Sequence, residues 1–266
     1  GYNAARINHS AHRLALPQID REDFVASLVD YVRADQKWVP GVDGSSLYLR
    51  PFMFASEEFV GVHPAGVVDY YVIGSPSGPY FTGGFAGVPI WVVRGYHRAG
   101  PGGTGSAKAG GNYAASLLPQ AEAERRGFSQ VCFLDTYEEK YLEELGGMNM
   151  FVVMADGSVR TPELSGVILE GCTRSAIMRL LRDGGVGVSE ERIALDELVA
   201  GIRSGAVAEV FACGTAAVVT PISRLASDDF DVELPVGGLT RRIHERLTDI
   251  QMGRVEDPYG WIYRLV

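Results

Sequence analysis

Residues 101–117 read PGGTGSAKAGGNYAASL. Counting Gly100, six glycines surround one lysine, Lys108, just ahead of a run that reads as a helix. A lone cation in so flexible a stretch admits three readings: a phosphate-cradling loop, an ordinary surface loop, or a lysine that forms a covalent bond. The phosphate loop requires G-x-x-x-x-G-K-[ST], whereas Ala107 precedes Lys108 and Ala109 follows it. The dinucleotide pattern G-x-G-x-x-G fails as well, because Lys108 stands where the last glycine belongs after Gly103 and Gly105. A covalent role has a distinct logic. Such a lysine must lose its proton, and glycines let the backbone approach a flat cofactor without Cβ clashes. Tyr113, in the GGNY that follows, would bring a hydroxyl to the same place. On the loop alone, the solvated lysine and the covalent one both remain open.

The rest of the 266 residues narrows the class. A hydrophobic fraction of 46% suits one large or two modest domains. There are 24 basic and 33 acidic residues, a net charge of −9, interspersed rather than in blocks. That balance argues against nucleic acid or an anionic membrane as partner. No apolar run has the length to span a bilayer. Cys132, Cys172 and Cys213 are far apart and the five histidines scattered, so neither a metal site nor a disulfide framework is indicated. Free thiols in a reduced, cytoplasmic setting are the simplest expectation.

Along the chain, residues 19–38 carry Phe24, Leu28, Tyr31 and Val32 at helical spacing, with Asp20 placed as N-cap. Residues 45–54, 66–75 and 88–96 read as strands, rich in β-branched and aromatic residues. Between the last two, SPSGPYFTGGFAG (75–87) is dense in turn formers and reads as the approach to an interdomain connection. Beyond it the pattern alternates. A helix is predicted over 112–126, strands over 129–135 and 148–155, and a helix from Gly171 to Arg182. A strand pair over 208–225 meets at Gly214–Thr215, and a helix closes the chain over 239–252. The fold class is α/β, mixed α+β, in two parts.

Seven segments in order give the chain a resemblance. They are NAARINHSAHRL (3–14), LYLRPFMF (47–54), GGTGSAKAGGNYAASL (102–117), EELGGMNMF (143–151), TPELSGVILEGCTR (161–174), EVFACGTAAVVTP (209–221) and DIQMGRVEDPYGW (249–261). Together they resemble the branched-chain amino acid aminotransferases, pyridoxal-phosphate enzymes of fold type IV. The resemblance implies a partial small domain over residues 1–82, a connection over 83–88 and a large cofactor-binding domain over 89–266. Family chains carry a long segment ahead of the equivalent of Asn3, so the small domain is expected to lack its N-terminal portion.

By the same resemblance Lys108 bonds pyridoxal 5'-phosphate and moves the substrate's proton, with Tyr113 beside it. Glu144 is expected against the pyridine nitrogen, favoured over Glu143 by its spacing to Gly146 and Asn149. Arg6, Cys172, Thr173 and Thr215 are expected on the phosphate, the two middle residues through the amides that open a helix. Tyr48, Arg50 and Tyr80, with Thr215 and Ala216, are expected to bind substrate, Arg50 taking the side-chain carboxylate of glutamate. Met148 would line the apolar wall. Where some relatives carry C-x-x-C after the turn, Ala217 and Thr220 stand, so no thiol switch is expected there. The implied activity transfers the amino group of leucine, isoleucine or valine to 2-oxoglutarate in a homodimer. Two alternatives stay open: an aminotransferase for an aromatic or modified amino acid, and a non-catalytic relative acting as a binding module.

Overall fold

The computed structural model describes residues 1–42, 44–78 and 85–265. Packing divides the chain into two compact units, Gly1–Thr82 with Tyr259–Val266, and Gly83–Pro258.

The first unit holds helices α1 (Tyr2–Arg13) and α2 (Arg21–Asp35) and strands β1 (Ser46–Ala55) and β2 (Val68–Ser77). Asp20 caps α2 as its sequence predicts, accepting the Glu22 N–H at 2.7 Å. Asn8 fixes the link between the helices by donating to the Ile19 carbonyl and accepting the Ile19 N–H. The two strands pair antiparallel from Ser46↔Ser77 to Ala55↔Val68. α2 lies on β2, where Ser27 Oγ and Tyr70 Oη are 2.9 Å apart. Gly74 leaves room there for the Tyr31 ring, since a Cβ would stand 2.6 Å from Tyr31 Oη.

The second unit is built on a nine-stranded mixed sheet. Its strands are β3 (Val88–Val92), β4 (Gln130–Leu134), β5 (Leu142–Leu145), β6 (Asn149–Met154), β7 (Val159–Pro162), β8 (Val188–Glu191), β9 (Val207–Gly214), β10 (Val218–Ala226) and β11 (Asp231–Glu233). The order is β5-β4-β3-β10-β9-β6-β7-β8, with β11 against β10. β10 joins two halves: residues 218–221 pair antiparallel with β9, and residues from Ile222 onward pair parallel with β3. The helices are α3 (Gly110–Ala114), α4 (Leu117–Arg125), α5 (Cys172–Asp183), α6 (Leu195–Ser204) and α7 (Gly238–Gln251).

The core forms because the sheet's central strands are apolar on both faces and the helices present matching stripes. Ile177, Met178 and Leu181 of α5 and Ile243 and Leu247 of α7 pack on Phe151, Phe211 and Val219. Phe151 and Phe211 are register partners whose rings stack at 4.9 Å. Truncating either buried ring to alanine costs about 3–5 kcal/mol. α7 begins against a carboxylate: Glu209 of β9 accepts the N–H groups of Leu239 and Thr240. Gly237 makes room for it, since a Cβ there would lie 1.8 Å from Glu209 Cδ.

Two features depart from the sequence reading. The helix expected over 112–126 is two pieces, α3 and α4. Pro119 has no N–H to offer the Ala115 carbonyl, so the ladder breaks at residues 115–116. Helices α1 and α6, and strands β5, β7, β8 and β11, are elements that the sequence pattern does not announce.

Candidate active site

The loop before Lys108 is knit from within the protein. Asn112, buried at the start of α3, donates to the carbonyls of Thr104 and Ala107, each at 2.8 Å. Thr104 Oγ1 donates back to Asn112 Oδ1 at 2.7 Å. Gly105 presses on the segment before α5: a Cβ there would stand 2.2 Å from the Val167 carbonyl oxygen. Gly103 is confined in the same way by the Gly100 carbonyl, and Gly102 has φ +74°. The glycines ahead of Lys108 are therefore demanded by backbone, that of the loop itself and that of the segment before α5, whereas Gly110 and Gly111 border open space. Lys108 itself is exposed, and its Nζ donates to Tyr113 Oη at 2.8 Å.

Glu144 is buried on β5, with its Oε1 2.9 Å from Arg98 Nη1 and accepting the Leu169 N–H at 2.7 Å. Burial pushes its carboxyl up to about 7, against the opposing charge of Arg98, the Leu169 amide and the charges of Lys108 and Arg174. Among the described residues Oε2 accepts no hydrogen bond. Glu143 is the neighbouring residue on the strand and leaves the opposite face. There it borders a cavity of about 360 Å³ with Asp135, Tyr141, Glu163 and Arg192. Burial, Asp135 and Glu144 push it up to about 7 as well, with Arg98 opposing.

Three further segments adjoin Glu144 and Lys108. The turn after β5 touches Tyr113, since a Cβ on Gly147 would stand 3.5 Å from its ring. Met148 is buried and lies against Gly214 at the end of β9, and Thr215 and Ala216 occupy the exposed turn that follows. Val218, which resumes the strand, has φ 54°, an uncommon backbone for a β-branched residue. Asn149 donates to the Leu169 carbonyl, and its Oδ1 would lie 2.1 Å from a Cβ on Gly171. Gly171 is the N-cap of α5 and gives it no side-chain cap, so the amides of Cys172 and Thr173 open the helix beside this contact.

The structure thus brings together Lys108, Tyr113 and Glu144, with the start of α5 and the 215–216 turn close by. Arg6 on α1 and Tyr48 and Arg50 on β1 belong to the first unit, where the Arg50 guanidinium lies 5.4 Å from the centre of the Tyr48 ring. Tyr80 lies outside the described residues. Sequence reasoning missed Arg98 and Asn112. Asn112 carried a usable signal, a short amide side chain directly after two glycines; Arg98 carried none. Among the described residues no three His, Cys, Asp or Glu gather to hold a metal, and no helix is long and apolar enough to cross a membrane.

The amino-transferase class IV family matches residues 2–225. A branched-chain-amino-acid aminotransferase of Mycobacterium tuberculosis is 49% identical over 270 residues, covering 99% of this chain and 73% of that protein. The crystal structure of the Escherichia coli branched-chain amino acid aminotransferase superposes with a TM-score of 0.84 at 29% identity, covering 100% of this chain and 83% of that one. A T.th. branched-chain amino acid aminotransferase with pyridoxamine 5'-phosphate superposes at 0.82, also at 29% identity and the same coverage. With the match spread over nearly all of the residues, the chain belongs to the class IV aminotransferase family, and within it to the branched-chain-amino-acid aminotransferases.

Proposed function

We propose that this chain moves the amino group of leucine, isoleucine or valine to 2-oxoglutarate, using pyridoxal phosphate held on Lys108. One observation carries the reading: Lys108, bonded to Tyr113, lies close enough for its charge to act on the buried carboxylate of Glu144. The residues present fit the cofactor. The uncapped start of α5 suits a phosphate, and Oε2 of Glu144 is an acceptor for a protonated ring nitrogen. The relative whose structure contains pyridoxamine 5'-phosphate supports the same choice. When bound, the cofactor supplies an electron sink that makes the amino acid's Cα–H bond acidic.

The chain's own groups do the rest. Lys108 Nζ takes the proton from the substrate's Cα and, in the second half-reaction, returns one to the Cα of the acceptor acid. Tyr113 Oη, 2.8 Å away, holds that amine in place. Glu144 keeps negative charge beside the ring nitrogen. The amides of Cys172 and Thr173 and the Thr215 hydroxyl hold the phosphate, and the Thr215–Ala216 backbone the substrate's α-carboxylate. Arg6 on the phosphate, and Tyr48, Arg50 and Tyr80 on the substrate, are assigned from their matched motifs alone. So is the division into a small domain over 1–82, a connection over 83–88 and a cofactor domain over 89–266, of which residues 259–266 group by packing with the first unit. We further infer a homodimer, the commonest closed assembly. Three cysteines outside any disulfide, two of them buried, support a reduced, cytoplasmic setting.

An absorbance spectrum of the purified chain with pyridoxal phosphate, before and after leucine, tests this reading. A visible band that leucine bleaches, with release of its 2-oxo acid, is the expected result. A band moved by phenylalanine and not by leucine would replace the substrate, and no band at all would remove the proposal.

A further inference from the structure

Arg98 lies outside every motif that marks the site, yet its side chain is only 2% exposed. Its Nη1 stands 2.9 Å from Glu144 Oε1, donates to the Val167 carbonyl at 2.9 Å and reaches the Gly105 carbonyl at 3.4 Å. These three partners come from three parts of the site. Gly105 belongs to the loop that ends in Lys108. Val167 lies two residues before Leu169, whose N–H meets the same oxygen of Glu144. Glu144 is the carboxylate itself. One guanidinium nitrogen therefore ties together the loop carrying the lysine, the segment leading to α5, and β5.

We propose that Arg98 is a positioning residue of this site. It clamps Oε1 of Glu144, leaves Oε2 as the oxygen offered to the cofactor, and sets that oxygen in fixed register with Lys108. The proposal rests on the function proposed above. Its physical basis is that a buried carboxylate stays ionised only beside a compensating charge, and that guanidinium is the side chain that never gives up its proton. Lys108 and Arg174 are the other cations acting on Glu144, and Glu143 is the like charge beside it. Neither other cation is placed to do the same work: Lys108 is exposed and engaged by Tyr113, and Arg174 is bound by Glu190 and the Pro162 carbonyl. A lysine at position 98 would keep the charge, but its ammonium ends one bond short of where Nη1 stands and lacks the rigid planar group that holds that nitrogen.

The test uses the cofactor-loaded enzyme and its Arg98→Met and Arg98→Lys variants. Three quantities are measured: the dissociation constant for pyridoxal phosphate by absorbance titration, kcat and KM for leucine, and the pH profile of kcat. In Arg98→Met, kcat is expected to fall about a hundredfold with KM nearly unchanged, the scale set by a misplaced catalytic group. The cofactor should bind more weakly, and the acid limb of the profile should move to higher pH. Arg98→Lys should restore the acid limb while kcat stays at least about tenfold below wild type. A folded Arg98→Met with wild-type kcat, cofactor affinity and acid limb would overturn the proposal. If Arg98→Met does not fold by circular dichroism, Arg98→Lys decides, and wild-type kcat in that variant would overturn it. If the wild-type chain itself neither binds pyridoxal phosphate nor turns over leucine, the proposed function fails first, before the variants are compared.

Discussion

On one face of β5, Glu144 has a guanidinium 2.9 Å away and a backbone N–H at 2.7 Å. On the other face its neighbour Glu143 is 7% exposed, accepts no hydrogen bond among the described residues, and shares a cavity with Asp135 and Glu163. Burial pushes both carboxyls up to about 7. Desolvation therefore does not say which glutamate belongs to the site; the partners do. A cation that also grips the lysine loop ties one face to the proposed site. The other face simply tolerates a carboxyl.

The largest expected effect removes what the first face serves. Lys108→Ala should lower kcat by about 10⁴-fold, the upper range for a positioned acid–base group, while the folded chain's thermal transition stays close to wild type. Single-turnover assays with leucine would check it, and retained turnover would detach Lys108 from the site. Next comes the direct contrast between neighbours. Glu144→Gln should lower kcat by about 10²-fold or more, whereas Glu143→Gln should leave it within about twofold. Equal losses would erase the distinction between the two faces.

The smallest effect concerns stability. Glu143 ordinarily titrates near 4.5 and is raised to about 7 in the folded chain. Between those values the folded state binds more protons than the unfolded state, so stability falls as pH rises through the window. Glu143→Gln removes that penalty. Its transition temperature should match wild type at pH 4 and exceed it by about 2 °C or more at pH 8. Thermal scans at the two pH values decide this, and a gain at pH 4 alone would reverse the sign.

Much of the fold was legible in the sequence. The strands at 45–54, 66–75 and 148–155 declared themselves by β-branched and aromatic runs, and Asp20 marked its helix start. β5, β7 and β8 did not, because LEEL, VRTP and VSEE put charges and hydroxyls into paired positions. Those charges find partners that only the fold supplies, such as Arg160 with Glu191 and Arg174 with Glu190. At the site, Lys108 and Tyr113 stood out through the glycines around them, and Glu144 through the family resemblance of its segment. Arg98 could not, because its meaning lies in meeting a carboxylate 46 positions away, which no local pattern encodes.

The hydrogen bonds between Asn112 and residues 104–107 also bear on how the cofactor arrives. Because protein groups alone pin this segment, its conformational freedom is lost when the chain folds and not when the ligand docks. The cofactor then meets a lysine-bearing loop that the fold has already shaped. Recombination followed by stopped-flow absorbance should accelerate in proportion to cofactor concentration, without the plateau that a prior loop closure would impose.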